Sequence, residues 1–302
     1  IEGKYNRKIP LYHPFNKLLP YKLRNTILKI KDNKMAKQTT YIAKTPDANG
    51  VINYSEEEHS VWSDLFNQQQ ANIQQYAADV YLDGLEKLAM PSDRIPQCDE
   101  ISRHLGPLTG WSVAPVPALI SFGRFFKTLS EKTFPAASFI RSQSDFDYIK
   151  EPDIFHEIFG HTPLLTDPSF AYFSETIGKI GLQVEPLDYS WLIRLYWFTI
   201  EFGLLKQNGV YKALGSGLNS SPTELIYSVD SPVPERREFN VIDILRTPYR
   251  IDIHQPIYYV IDEIDDLLQV AERDLQSDIK KAQSLGLFEK TFNPINETKR
   301  TA

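Results

Sequence analysis

A single cysteine, Cys98, stands in the 302-residue chain, so no intrachain disulfide can form and the fold must hold by packing alone. That usage fits a reducing compartment, and a cytoplasmic address is expected. No run approaches the roughly 20 uninterrupted apolar residues of a membrane span, and the opening residues IEGKYNRKIP have no apolar signal core. Internal repeats are absent, as are Gly/Ser-rich or Pro-rich linkers beyond Met35, so residues 35–302 read as one domain. The glycines of GSGLNSS lack the lysine and flanking strand of a phosphate-binding loop, and no GxSxG elbow occurs, which excludes nucleotide and serine-hydrolase readings. Charge is unevenly spread, with the first 34 residues basic and the remainder acidic. The basic segment holds nine basic side chains against Glu2 and Asp32, a balance of +7, which leaves −13 for the remainder of a chain whose net charge is −6. Residues 1–34 therefore read as a basic extension or leader. The acidic body disfavours sequence-independent nucleic-acid binding and points to small-molecule chemistry.

What the chain does contain is a 42% apolar fraction with 17 Phe, 16 Tyr and 4 Trp, enough for a substantial core. Ser55 and Glu58 form a capping-box pattern ahead of Val61, Trp62, Leu65, Phe66, Ile73, Tyr76, Ala77 and Val80, spaced for a long helical region. Further helices are expected over 97–105, ending before Gly106, over 121–132, from Pro168 to Gly181, over 188–207 and from Ile261 to Ala282. WSVAPVPALI, with Pro115 and Pro117, reads as an ordered loop, and 247–261 as a short strand or hairpin arm. The class is mostly α with minor β.

The segment EPDIFHEIFGH carries the most chemical information. His156 and His161 are five residues apart, which on a continuous α-helix separates them by about 140°, against about 40° for the four-residue step of zinc-protease motifs. Both rings reach one ion only if the helix ends or distorts between them, and Gly160 offers an ending. Asp153 sits where a helix N-cap would, or where a carboxylate orients a histidine. A third donor is Glu201 in LIRLYWFTIEFGLL, where the only other charge is Arg194. A carboxylate among Trp197, Phe198, Ile200, Phe202 and Leu204 needs a cationic partner, and Arg194, two helical turns away at roughly 10 Å, is awkwardly placed. Two imidazoles and a carboxylate suit a non-haem Fe(II) oxygenase; the alternative is Zn²⁺ with an open water position in a hydrolase using Glu157 as base, against which the five-residue histidine step counts.

PDIFHEIFGHTPLL, YWFTIEFGL, FPAASFIR and GSGLNSSPTEL, in that family's motifs over about residues 37–285, resemble the catalytic domain of the tetrahydropterin-dependent aromatic amino acid hydroxylases. The resemblance implies that family's fold. It also implies Fe(II) held by His156, His161 and Glu201, with tetrahydropterin and O₂ as co-substrates and L-phenylalanine as the amino acid hydroxylated to L-tyrosine. It assigns Arg141 to the substrate carboxylate and Ser220, Trp197, Pro152 and Phe202 to the substrate pocket. Phe125 falls where the family stacks a ring on the pterin, Leu119 and Ile120 where a loop backbone bonds it, and Glu157 and Tyr196 near pterin and metal. Ile149 departs from the animal members, which carry a hydroxylated residue there. Ile251, where tyrosine hydroxylases have aspartate, favours phenylalanine over tyrosine or tryptophan. The regulatory domain and C-terminal tetramerisation helix of animal members have no counterpart, so a monomer or dimer is expected.

Overall fold

The computed structural model describes residues 41–116, 120–146, 149 and 151–292; the basic segment 1–34 and Leu119 lie outside the described residues. Helix α1 (Glu56–Tyr76) opens on the expected capping box of Ser55 and Glu58 and buries Val61, Trp62, Leu65, Gln69 and Ile73. The helical periodicity does not run on unbroken: Ala77 is extended, its neighbour Ala78 starts α2 (Asp79–Lys87), and Tyr81 is fully buried. Helix α3 (Cys98–Thr109) passes the expected stop at Gly106. It ends instead at Gly110, which adopts the left-handed conformation with φ 77° that a glycine takes without a Cβ penalty.

WSVAPVPALI is not simply a loop. Ser112–Val116 forms β1, which pairs in parallel with β2 (Thr133–Ala137) across helix α4 (Phe122–Ser130), capped by Ser121. Prolines 115 and 135 are tolerated because each strand of a two-stranded ribbon keeps one edge free of ladder bonds. Helix α5 (Pro168–Gln183) follows its cap Asp167, whose Oδ1 accepts the N–H groups of Ser169 and Phe170.

The expected helix over 188–207 divides into three. Tyr189–Tyr196 is α6, Trp197–Glu201 winds as a π-helical turn, and Leu204–Gln207 is strand β3. β3 turns back into β4 (Val210–Ala213) through Asn208 and Gly209, both at positive φ, the Asn-Gly hairpin signal. Short helix α7 (Ser216–Asn219), α8 (Pro222–Asp230), β5 (Glu235–Glu238) and α9 (Val241–Arg246) follow. Of the segment 247–261 only Ile257–Ile261 is a strand, β6, and it is buried throughout. With β3 it is one of the two inner strands of a sheet ordered β4-β3-β6-β5, and it is parallel to both β3 and β5. The expected helix from Ile261 is instead two, α10 (Asp266–Ala271) and α11 (Leu275–Leu285), the second capped by Asp274. The mostly α class with minor β holds, and the helices outweigh two small sheets. No helix among the described residues is long and apolar enough to cross a membrane.

Candidate metal centre

Residues Phe155–His161 form a π-helical turn, so the helix neither continues as α nor ends at Gly160. The wider turn, with hydrogen bonds five residues apart, brings position i+5 back toward the face of i, and His161 lies beside His156 with ring centroids 4.9 Å apart. The carbonyls of this wider turn find outside donors: the Tyr81 hydroxyl gives its proton to the Phe159 oxygen at 2.7 Å, and Thr162 Oγ1 to the Ile158 oxygen at 2.7 Å. Gly160 serves close packing, since a Cβ there would stand 3.0 Å from the Ser216 carbonyl oxygen. Glu201 ends the second π turn, and Thr199 Oγ1 donates to the Leu195 oxygen at 2.6 Å. Gly215 lets α7 lie against that turn, because a Cβ there would fall 2.2 Å from the Glu201 carbonyl oxygen.

The three side chains named from the sequence converge: His156, His161 and Glu201 offer ligand atoms all within 4.8 Å of one another, the one such His/Cys/Asp/Glu group among the described residues. The two Nε2 atoms are 3.2 Å apart, His161 Nε2 is 3.1 Å from Glu201 Oε1, and His156 Nε2 is 3.6 Å from Glu201 Oε2. Donors about 2.1 Å from one ion at right angles stand about 3.0 Å apart, so the donor set fits a single first-row metal, in the two-histidine, one-carboxylate pattern of non-haem Fe(II) sites. Arg194 takes no part: it donates to the Ser190 carbonyl and lies over Trp191, and burial pushes its guanidinium down to about 10.

The protonation states suit ligation. Burial pushes His156 down to about 4 against the pull of Glu201, leaving a neutral ring at pH 7. Burial alone would raise the Glu201 carboxyl, but His161, His156 and the Ser216 hydroxyl hold it at about 2. Ser220 fixes the tautomer of His156. Its hydroxyl proton goes to the Ser216 carbonyl at 2.8 Å, so at 2.9 Å from Nδ1 it accepts, Nδ1 carries the hydrogen, and the Nε2 lone pair faces the cluster. Behind His161 the wall of Leu129, Phe134, Leu165, Phe170, Tyr196 and Ile200 closes without room for water.

Among the other expected residues, Glu157, Tyr196 and Asp153 each meet a ligand residue. Glu157 Oε2 is 4.0 Å from His161 Nε2, and burial, then the Glu201 and Asp153 carboxylates, hold its carboxyl well above the usual range. Tyr196 is buried and stacks on His161 at 6.4 Å, while Phe125 meets its ring edge-on at 5.3 Å. Asp153 both caps and orients, since its Oδ1 accepts the backbone N–H of His156 and it binds the Arg141 guanidinium as a buried pair. Trp197 lies between Phe202, 4.5 Å away, and Tyr249, 4.4 Å away. Ile120 precedes the cap of α4 and Pro152 precedes Asp153. Ile251 is 45% exposed on the turn before β6.

Sequence reasoning missed Tyr249, Gln255 and Ser216. Gln255 accepts the Trp197 indole N–H at 3.2 Å and donates to the Arg250 and Ile253 carbonyls, tying that ring to the turn carrying Ile251. Ser216 touches two of the ligands. The available signal was the GSG step, whose glycines mark a close backbone approach and not a phosphate cradle.

A sequence profile described as biopterin-dependent aromatic amino acid hydroxylase matches residues 4–298. The phenylalanine-4-hydroxylase of Vibrio cholerae is 46% identical over 256 residues, 85% of this chain and 89% of that protein. That of Pseudomonas aeruginosa is 49% identical over 258 residues, 85% and 98% of the two chains. The apo structure of the cold-active phenylalanine hydroxylase from Colwellia psychrerythraea superposes with a TM-score of 0.82 at 50% identity, covering 83% of this chain and 98% of that one. With its two-histidine, one-glutamate cluster set in this matching fold, the chain belongs to the biopterin-dependent aromatic amino acid hydroxylases.

Proposed function

We propose that this chain is a phenylalanine 4-monooxygenase that converts L-phenylalanine to L-tyrosine, with O₂ as oxidant and a tetrahydropterin as co-substrate. One oxygen atom enters the ring at C4, and the other leaves on the pterin, which supplies two electrons. The observation that carries this reading is the convergence of His156, His161 and Glu201 with mutual separations of 3.1 to 3.6 Å. Bound there, Fe(II) supplies the activation of O₂ that neither organic reactant achieves alone.

The protein's own contribution is placement and exclusion of water. Neutral His156 and anionic Glu201 stand ready as donors without proton loss at pH 7. Asp153 occupies Nε and Nη2 on one side of the Arg141 fork, which leaves N–H groups on the terminal nitrogens for the substrate carboxylate. The Trp197 and Phe202 rings form an aromatic wall for the substrate ring. Phe125, with Ile120 and Leu119 ahead of it in chain order, serves the pterin; Glu157 and Tyr196 hold protons between pterin and metal. Pro152 and Ser220 border the amino acid site, the latter through His156. A cytoplasmic address, which the lone buried cysteine fits, and a monomeric or dimeric state accompany this reading.

The test is anaerobic loading with Fe²⁺ followed by O₂, tetrahydropterin and phenylalanine, with tyrosine measured. Tyrosine formed only when all four are present is the expected result. Turnover of a hydrolysable amide without O₂ or pterin would establish the zinc-hydrolase alternative, and turnover of tyrosine or tryptophan in place of phenylalanine would reassign the pocket.

A further inference from the structure

Ser216 is fully buried at the start of α7, and its hydroxyl oxygen has three polar neighbours: the Ile200 carbonyl oxygen at 3.0 Å, Glu201 Oε2 at 3.1 Å and His161 Nε2 at 3.0 Å. One hydroxyl has one proton. The two oxygens are obligatory acceptors, and as a metal donor the His161 nitrogen would turn its lone pair to the ion and not to the hydroxyl. The hydroxyl proton therefore lies between Ile200 and Glu201 Oε2, and the carboxylate is held in the rotation that turns Oε1 toward His161, 3.1 Å away. The same residue reaches the third ligand through its backbone. Its carbonyl takes the proton of Ser220 Oγ, and that oxygen fixes the Nδ1 hydrogen of His156.

From this geometry we infer that Ser216 is a positioning residue of the metal site: its hydroxyl sets the carboxylate of Glu201 and its carbonyl sets the tautomer of His156. One residue thereby links two ligands, Glu201 and His156, from two separate π turns. The helix holding it is itself pinned. Gln69 of α1 donates to the Asn219 carbonyl at 2.8 Å, and the absent side chains of Gly160 and Gly215 let α7 approach both turns. Removing the hydroxyl leaves the backbone link to His156 in place and frees the Glu201 carboxylate to rotate, so the defect falls on the metal site and not on the fold.

The inference rests on the metal reading of the His156, His161 and Glu201 cluster and is tested apart from it, on the full chain with Co²⁺ as probe. Wild type, Ser216→Ala and Ser228→Ala are titrated, recording both affinity and the visible absorption of the bound ion. Ser228 is as deeply buried, and among the described residues its hydroxyl bonds only the Leu225 carbonyl, so it controls for loss of a buried serine hydroxyl. The expected result is a fall in Co²⁺ affinity of about 10- to 100-fold for Ser216→Ala, with an altered band shape, and no change for Ser228→Ala. Wild-type affinity and spectrum in Ser216→Ala would overturn the inference while leaving the metal reading intact. Equal losses in both variants would overturn it too, by assigning the effect to packing. Failure of the wild type to bind Co²⁺ or Fe²⁺ would instead sink the metal reading itself.

Discussion

Arg141 and Asp153 form a buried two-point pair: Arg141 Nε donates to Oδ2 at 2.8 Å and Nη2 to Oδ1 at 3.1 Å, while the Arg141 backbone N–H reaches Oδ2 at 3.0 Å. Asp153 is fully buried and also accepts the His156 N–H, so a single carboxylate fixes both the proposed substrate arginine and the start of the turn that carries two ligands. Burial alone would raise this carboxyl, yet Arg141 keeps it below the usual range.

Asp153→Ala strands the Arg141 charge in the interior, and the expected cost is about 3–5 kcal/mol in urea unfolding. Arg141→Lys keeps the charge but loses the planar fork. Its expected signature is a rise of at least about 10-fold in KM for phenylalanine with iron content unchanged. An unchanged KM would remove Arg141 from the carboxylate site.

Stripping the metal with a chelator and returning Fe²⁺ should abolish and then restore tyrosine formation, whereas Zn²⁺ should restore thermal stability without activity. Ion present at 100 times its Kd adds about 2.7 kcal/mol to the folded state, so calorimetry reads binding independently of turnover. Glu201→Ala should lose metal affinity by more than the 10- to 100-fold typical of outer partners. Iron retention in that variant would disprove the ligand assignment.

The chemistry of the site was more legible in the sequence than its backbone. Glu201 is a lone acid in an apolar run, and the cost of burying it pointed to a cation wherever the chain led. The five-residue step between His156 and His161 demanded a distortion, but sequence alone did not distinguish a helix end at Gly160 from a widened turn. That choice is made by a distant donor, Tyr81 on α2, together with the neighbouring Thr162, which satisfy the turn's carbonyls. The helix expected over 188–207 broke for a similar reason. Helical spacing continues past Glu201, while the Asn208-Gly209 turn makes the following residues a hairpin whose β3 joins the distant β6. Ser216 was hidden because its partners lie 15 and 55 residues away along the chain.

Gly160→Ala should weaken the site without touching a ligand. The added Cβ would lie 3.0 Å from the Ser216 carbonyl oxygen and 3.4 Å from the Ser220 Cβ, pushing α7 off the first π turn. Overpacking of this kind costs about 1–3 kcal/mol, and displacement of Ser220 loosens the His156 tautomer. Metal titration and thermal melting of the purified variant check both effects, and wild-type values in each would show that the site does not depend on the close approach of α7 at Gly160.

Glu224 gives the fold a pH dependence of its own. It is 7% exposed, and its Oε1 accepts the Gln255 backbone N–H at 2.7 Å and the Tyr258 hydroxyl at 2.8 Å. Burial outweighs these two bonds and pushes the carboxyl up to about 7. As pH rises past the ordinary value of 4.5, the unfolded chain sheds a proton that the native chain keeps until about 7, so this residue's contribution to stability falls across that window and is level above it. The loss from pH 4.5 to 8 is no more than about 3 kcal/mol. Glu224→Gln retains an acceptor for both bonds and has no proton to lose. Its urea midpoint should match the wild type near pH 4.5 and exceed it at pH 8, and parallel curves for the two proteins across this range would refute the assignment.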